Sequence, residues 1–295
     1  MDTLRTLRAL ALSWRLGHTL FAEHDEPVSL LGRLIEHARS TARYSIYYGE
    51  GRDAYDTEPG RTVHESIFNT NDGYFRCPST QQGYSPFTTW TRGLSWAISG
   101  FAEQLEFLNT VDEAELEPFG GAQAITSMML KAARATCDFY IANTSKDGIP
   151  YWDTGAPNLH KLGDYTQKNA DPFNPYEPVD SSAAAIAAQG LLRLGHYLDL
   201  KDEKEHASTY KQAGLTVVKT LLKEPYLSTD AAHQGLLLHT IYHHPNGWDF
   251  VPEDQEIPCG ESCMWGDYHM RELALYVSRL AYDQPHYTFF NNISD

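Results

Sequence analysis

Apolar residues recur at helical spacing along this chain, in segments joined by connections of two very different lengths. That alternation restricts the fold more than any single residue does. The periodic segments are Leu4 to Leu20, Leu30 to Ala42, Leu94 to Leu108, Ala122 to Ile141, Ala183 to Leu198, Ala207 to Leu222, Gln234 to Tyr242 and Tyr268 to Tyr282. They predict about eight helices. Val63 to Phe68 is the one weak strand signal. The short connections, EHDEPVS and DLKDEKEH, are polar turns. The long ones, 49–87, 144–180 and 244–266, carry most of the Gly and Pro and half of the Trp. Helical hairpins set in a ring place short turns on one face and long loops on the other, and long loops without regular structure tend to be functional. The expected fold is therefore all-α, an (α/α)6 toroid with an inner ring of helices inside an outer one. Six hairpins need twelve helices, so about eight make an incomplete barrel. No linker or shift in composition divides residues 1–295, which read as one domain.

Composition removes several classes of function. The net charge of −16 opposes a nucleic-acid partner, because phosphate binding needs a basic face. No run of apolar residues is long enough to span a membrane. Cys77, Cys137, Cys259 and Cys263 form no CxxC pair and no zinc spacing, and read as reduced thiols. No leader opens the chain. It begins with MDTLRTLRALALSW, already helical, which raises the expectation of a missing N-terminal part.

The stretch QGYSPFTTWTRGLSWAISGF holds the most chemistry. Ser85-Pro86 and Thr88-Thr89 look like a turn and an N-cap region. Arg92 and Trp96 are four apart and share a helix face, with Trp90 near the helix mouth and Gly93 and Gly100 allowing close backbone approach. A guanidinium beside indole faces suits a carboxylated sugar, since Arg grips carboxylate bidentately and indole stacks on a pyranose. The same letters equally describe a Trp-rich helix mouth closing the core, with Arg92 in a structural ion pair. His64, His18 and the doublet His243-His244 lack any metal-ligand spacing. Asp2, Asp180 and Asp267 each precede a helical run and read as caps. The loop DGIPYWDTGAP, with Trp152 and Asp153, is a turn or a binding loop.

Taken together, four segments resemble the unsaturated glucuronyl hydrolases, glycoside hydrolase family 88. QGYSPFTTWTRGLSWAISGF is similar to that family's HQGYSDDSAWARGQAWAIYGF. DGIPYWDTGAP with PVDSSAAAIAAQGLL, ESCMWGDYHMREL, and MDTLRTLRALALSW resemble further family segments in the same order, from residue 2 to about 281. The resemblance implies an (α/α)6 barrel that removes a Δ4,5-unsaturated uronate from lyase-generated oligosaccharides, in the cytoplasm or periplasm, without a cofactor. It implies Asp2 as acid/base. It implies His64 in contact with substrate or water, Gln82 on the sugar near C5, and Arg92 on the sugar or its carboxylate side. Trp90 and Trp96 would form a stacking wall, and His243 would match a family histidine. Asp180 is better taken as a cap. Departures are the PFT that replaces an acidic DDS after QGYS, a longer connection at 49–62, and the absence of the family's N-terminal segment with its second aspartate. A rhamnogalacturonyl hydrolase of family 105 and a non-catalytic sugar-binding remnant of the barrel remain alternatives.

Overall fold

The computed structural model describes Met1 and residues 3–290. Its helices are α1 (Thr3–Arg15), α2 (Leu30–Tyr44), α3 (Thr91–Leu108), the single turn α4 (Glu113–Leu116), α5 (Ala122–Asn143), α6 (Ser181–Leu200), α7 (Lys204–Leu221) and α8 (Met264–Ala281). Two antiparallel hairpins join them, β1 (Leu20–Phe21) with β2 (Pro27–Val28) and β3 (Glu65–Phe68) with β4 (Phe75–Ser79). Helices α1, α3, α6 and α8 pack side by side in that order, while α2, α5 and α7 lie against α1, α3 and α6. This is the inner and outer layering of an α/α toroid, present as an arc.

The central helices α3 and α6 are buried almost all round, which explains the run SSAAAIAAQG. Small residues bring these helices close. A Cβ on Gly190 would stand 2.6 Å from the backbone of Ile98 and Ser99, and one on Gly100 would stand 2.8 Å from the Leu4 Cβ. Leu4, Leu7, Ile98, Phe101 and Leu191 form the core between the layers. The inner helices are also tied by charge. Glu103 on α3 accepts from Arg5 at 3.0 Å and from Arg8 Nε at 2.8 Å, and Arg8 also bonds Glu272 on α8 at 3.2 Å. Burial alone would raise the Glu103 carboxyl, but Arg5, Arg8 and Arg193 overcome it and hold it at about 2.

Helix starts follow local chemistry in some places and tertiary contacts in others. Ser29 caps α2 by accepting from the Gly32 amide at 3.1 Å. Asp180 caps α6 through the amides of Ser182 and Ala183, as expected. The expected cap at Ser85 to Thr89 is corrected. Trp90 is the N-cap of α3 and supplies no side-chain cap bond. The Thr89 hydroxyl instead donates to the Thr62 carbonyl and accepts from its amide.

Gln234 to Tyr242 is not a helix. Leu237 pairs with Leu227, His239 has a φ of 62°, and the amides of Leu236 and Leu237 donate to the Asp267 carboxylate at 2.9 Å. Asp267 thus sits inside the first turn of α8 and satisfies a neighbouring segment, while Cys263 occupies the cap position. Strand β4 carries Pro78 and no clear alternation, so it gave no strand signal.

Gly190→Ala should destabilise the fold by about 1–3 kcal/mol in urea unfolding. Alanine is the better helix former, but the atoms it would meet are backbone. An unchanged or raised midpoint would refute the close approach of α3 and α6.

Candidate functional site

A cavity of about 290 Å³ is lined by Gln82, Trp90, Arg92, Trp96, Tyr242, His243 and Trp265. It collects two long connections against two helix mouths. Gln82 comes from the loop after β4, Trp90 caps α3, and Arg92 and Trp96 stand on one face of its first turns. Tyr242 and His243 come from the segment between α7 and α8, and Trp265 from the first turn of α8. Gln82, Trp90, Arg92, Trp96 and His243 were each expected in the site from the sequence, and the fold brings them together.

Arg92 is the centre of this wall. It is 3% exposed and pairs with Asp180, itself fully buried, at 2.9 Å. Its Nη1 also donates to the Ile241 carbonyl, and its Nη2 donates to the Tyr242 carbonyl at 2.8 Å and to Gln82 Oε1 at 3.1 Å. The guanidinium lies between the Trp90 and Trp265 rings, 4.8 and 5.0 Å from their centroids. Both terminal nitrogens are therefore committed to protein acceptors, and a bidentate grip of Arg92 on a sugar carboxylate would require some of these bonds to break. The ion-pair reading of the same residue describes its geometry, and Asp180 serves as cap and counter-ion at once.

Tyr242 and Trp265 stack with centroids 5.3 Å apart, and Trp248 stacks on the other side of Tyr242 at 5.7 Å. Asp249 shapes this loop by accepting from the amides of Tyr242 and His243. The His243 ring lies 4.8 Å from Trp248, and its Nδ1 is buried with no hydrogen-bond partner among the described residues. Sequence reasoning did not single out Tyr242, Trp248 or Asp249. Tyr242 ended a segment whose periodicity read as helix, and Trp248 and Asp249 lay in the long connection 244–266 without a motif of their own. Trp265 sat within a recognised motif, ESCMWGDYHMREL, but carried no predicted role.

His64 stands on the far side of Trp90, with ring centroids 4.7 Å apart. Its Nδ1 accepts from the Gln81 amide at 3.1 Å, so in the neutral ring the proton sits on Nε2. It lines a second cavity of about 360 Å³ with Met1, His37, Tyr44 and Glu65. Asp2, the expected acid, lies outside the described residues. A larger open groove of about 1210 Å³ runs along α8 from Trp265 to Leu275 and meets Arg5. Among the described residues, its walls hold none of those expected in the site.

Asp153 supports the site from below. It is fully buried, its backbone bridges Trp90, and its carboxylate accepts from the amides of Tyr84 and Gly155 at 2.8 and 2.9 Å. Burial pushes its carboxyl up to about 6 against the pull of those amides. Neighbouring Trp152 donates to Glu177 at 2.8 Å, which fixes the same loop. DGIPYWDTGAP is thus a scaffold under the Gln82 loop.

Comparison with known proteins gives these residues a context. No family model matches the chain. It is 28% identical over 240 residues to an unsaturated glucuronyl hydrolase of Formosa agariphila, covering 81% of this chain and 46% of that protein. It is 29% identical over 219 residues to an unsaturated glucuronyl hydrolase of a Bacillus species, covering 74% of this chain and 47% of that protein. The crystal structure of the unsaturated glucuronyl hydrolase of Bacillus sp. GL1, responsible for the degradation of glycosaminoglycan, superposes with a TM-score of 0.66 at 25% identity. That match covers 94% of this chain and 58% of the other. Over most of its length the chain is similar to unsaturated glucuronyl hydrolases. It spans about half the length of the curated relatives it matches.

The raised Asp153 carboxyl carries a pH signature. Its folded pKa lies above its unfolded value, so its contribution to stability is complete below about pH 4 and is lost as pH rises through about 6. The loss should be on the order of 2–3 kcal/mol. Urea midpoints of wild type and Asp153→Asn between pH 4 and 7.5 should show this fall in the wild type and not in the variant. Parallel curves would exclude Asp153 as the titrating group.

Proposed function

We propose that this chain carries the substrate wall of a glycoside hydrolase. That enzyme removes Δ4,5-unsaturated uronic acid from the non-reducing end of lyase-generated oligosaccharides. The observation that carries the reading is the cavity in which Trp90, Trp96 and Trp265 surround the Arg92–Gln82 pair. Apolar ring faces beside a few polar groups suit one sugar ring. The names of the relatives support the uronate as that sugar.

The substrate's double bond sets the chemistry. A C4=C5 enol ether is protonated at C4, and the positive charge that develops at C5 is shared with the ring oxygen. Water adds at C5 and gives its proton to the carboxylate left by the first step. The resulting hemiketal opens and releases the aglycone as an alcohol. One carboxyl able to give and take back a proton serves both steps. In this reading Asp2 is that carboxyl. His64 contacts substrate or water. Trp90 and Trp96 stack on the sugar, and His243 contacts it from the opposite loop. Unsaturated oligosaccharide is the expected partner.

Turnover removes the conjugated enol ether and its absorbance near ~235 nm. With an unsaturated disaccharide the chain is expected to bleach this band, and Asp2→Asn to slow the bleaching by about 10²-fold or more. Binding without bleaching by the unaltered chain would replace the hydrolase reading with that of a sugar-binding protein.

A further inference from the structure

We propose that Arg92 and Asp180 are positioning residues that hold the Gln82 carboxamide with its Nε2–H bonds facing the cavity, and that these bonds read the acidic group of the substrate. The substrate class rests on the function proposed above; the orientation of Gln82 does not.

The orientation follows from donor and acceptor chemistry. A guanidinium can only donate. The atom of Gln82 that meets Arg92 Nη2 at 3.1 Å is therefore its carbonyl oxygen, and the amide nitrogen must face the other way. That nitrogen has no hydrogen-bond partner among the described residues, and it is not among the buried unpaired atoms, so it opens on the cavity that Gln82 lines. Arg92 cannot swing to take a ligand. Its four terminal N–H bonds go to Asp180, Ile241, Gln82 and Tyr242, and two indoles cover its faces. Asp180 in turn cannot move without uncapping α6.

The relay does more than hold geometry. A hydrogen bond from a cation to an amide oxygen polarises the amide and strengthens its own N–H donors. Asp180 offsets most of the guanidinium's charge, so the cavity meets a polarised, oriented donor in place of a bare cation. The best acceptor for such a donor is a carboxylate, since charge-assisted hydrogen bonds are the strong ones. The acidic group on C5 of the sugar then becomes the feature that distinguishes substrate from a neutral ring.

Two measurements test this. First, in ¹⁵N-labelled protein, the Gln82 side-chain amide signal is assigned by its disappearance in Gln82→Glu. Asp180→Asn, which keeps the shape of the cap, should displace that signal. An unmoved signal overturns the relay, whatever the enzyme does. Second, kcat/KM is measured for an unsaturated uronyl disaccharide and for its methyl ester. Gln82→Glu, which can still pair with Arg92 but offers no donor, should lower the acid-over-ester preference at least about 10-fold, chiefly through KM. Asp180→Asn should lower the same preference by less. Equal losses on both substrates would mean that Gln82 acts only in packing. A preference kept in Gln82→Glu and abolished in Arg92→Lys would assign the reading to the guanidinium. Both results overturn the proposal. If neither substrate is turned over by the unaltered chain, the proposed function fails, while the amide signal still decides the orientation.

Discussion

The buried pair of Arg92 and Asp180 is the interaction on which the rest of the site depends. Removing one partner of such a pair leaves an uncompensated charge in the interior, at a cost of about 3–5 kcal/mol. Here the pair joins the first turn of α3 to the cap of α6. Through Arg92 it also anchors Gln82 and the backbone at Ile241 and Tyr242. Four segments far apart in the chain thus meet at one guanidinium. Without it, Asp180 Oδ2 and the buried Ile241 carbonyl would lose the guanidinium donor they have here.

The helices make this meeting geometrically possible. Glycines at positions 100 and 190 allow α1, α3 and α6 to approach closely, so the mouths of α3 and α6 lie side by side. The Glu103 cluster ties α1, α3 and α8 further along the same helices. Between these two points the inner row is closely packed. Trp248 is 60% exposed yet stacked on Tyr242, which extends the aromatic wall outward from the cavity.

Much of the fold was legible in the sequence because helical burial leaves a period. The segments at Leu30, Leu94, Ala122, Ala183 and Ala207 all lie in helices. The exception, Gln234 to Tyr242, has an apolar run that mimics a helix, but its amides are claimed by Asp267 and by the Glu261 carbonyl. No local pattern announces such a claim. The gathering of Gln82, Trp90, Arg92, Trp96 and His243 was legible through motif resemblance. The commitment of Arg92 to protein acceptors was not, because Ile241 and Tyr242 contribute backbone carbonyls, which any residue could supply.

By itself the sequence determined which segments are helices, which residues carry polar chemistry, and which family they resemble. Those properties are written in periodicity and in residue type. Only the tertiary structure decided what each polar group is paired with. Asp180 became counter-ion as well as cap, Asp153 became a buried carboxyl under the Gln82 loop, and Gln82 turned its carbonyl to Arg92 and its amide to the cavity. The reason is physical: a donor's partner is set by distance in space, and Arg92 lies 10 positions from Gln82 and 88 from Asp180, while Tyr84 lies 69 from Asp153.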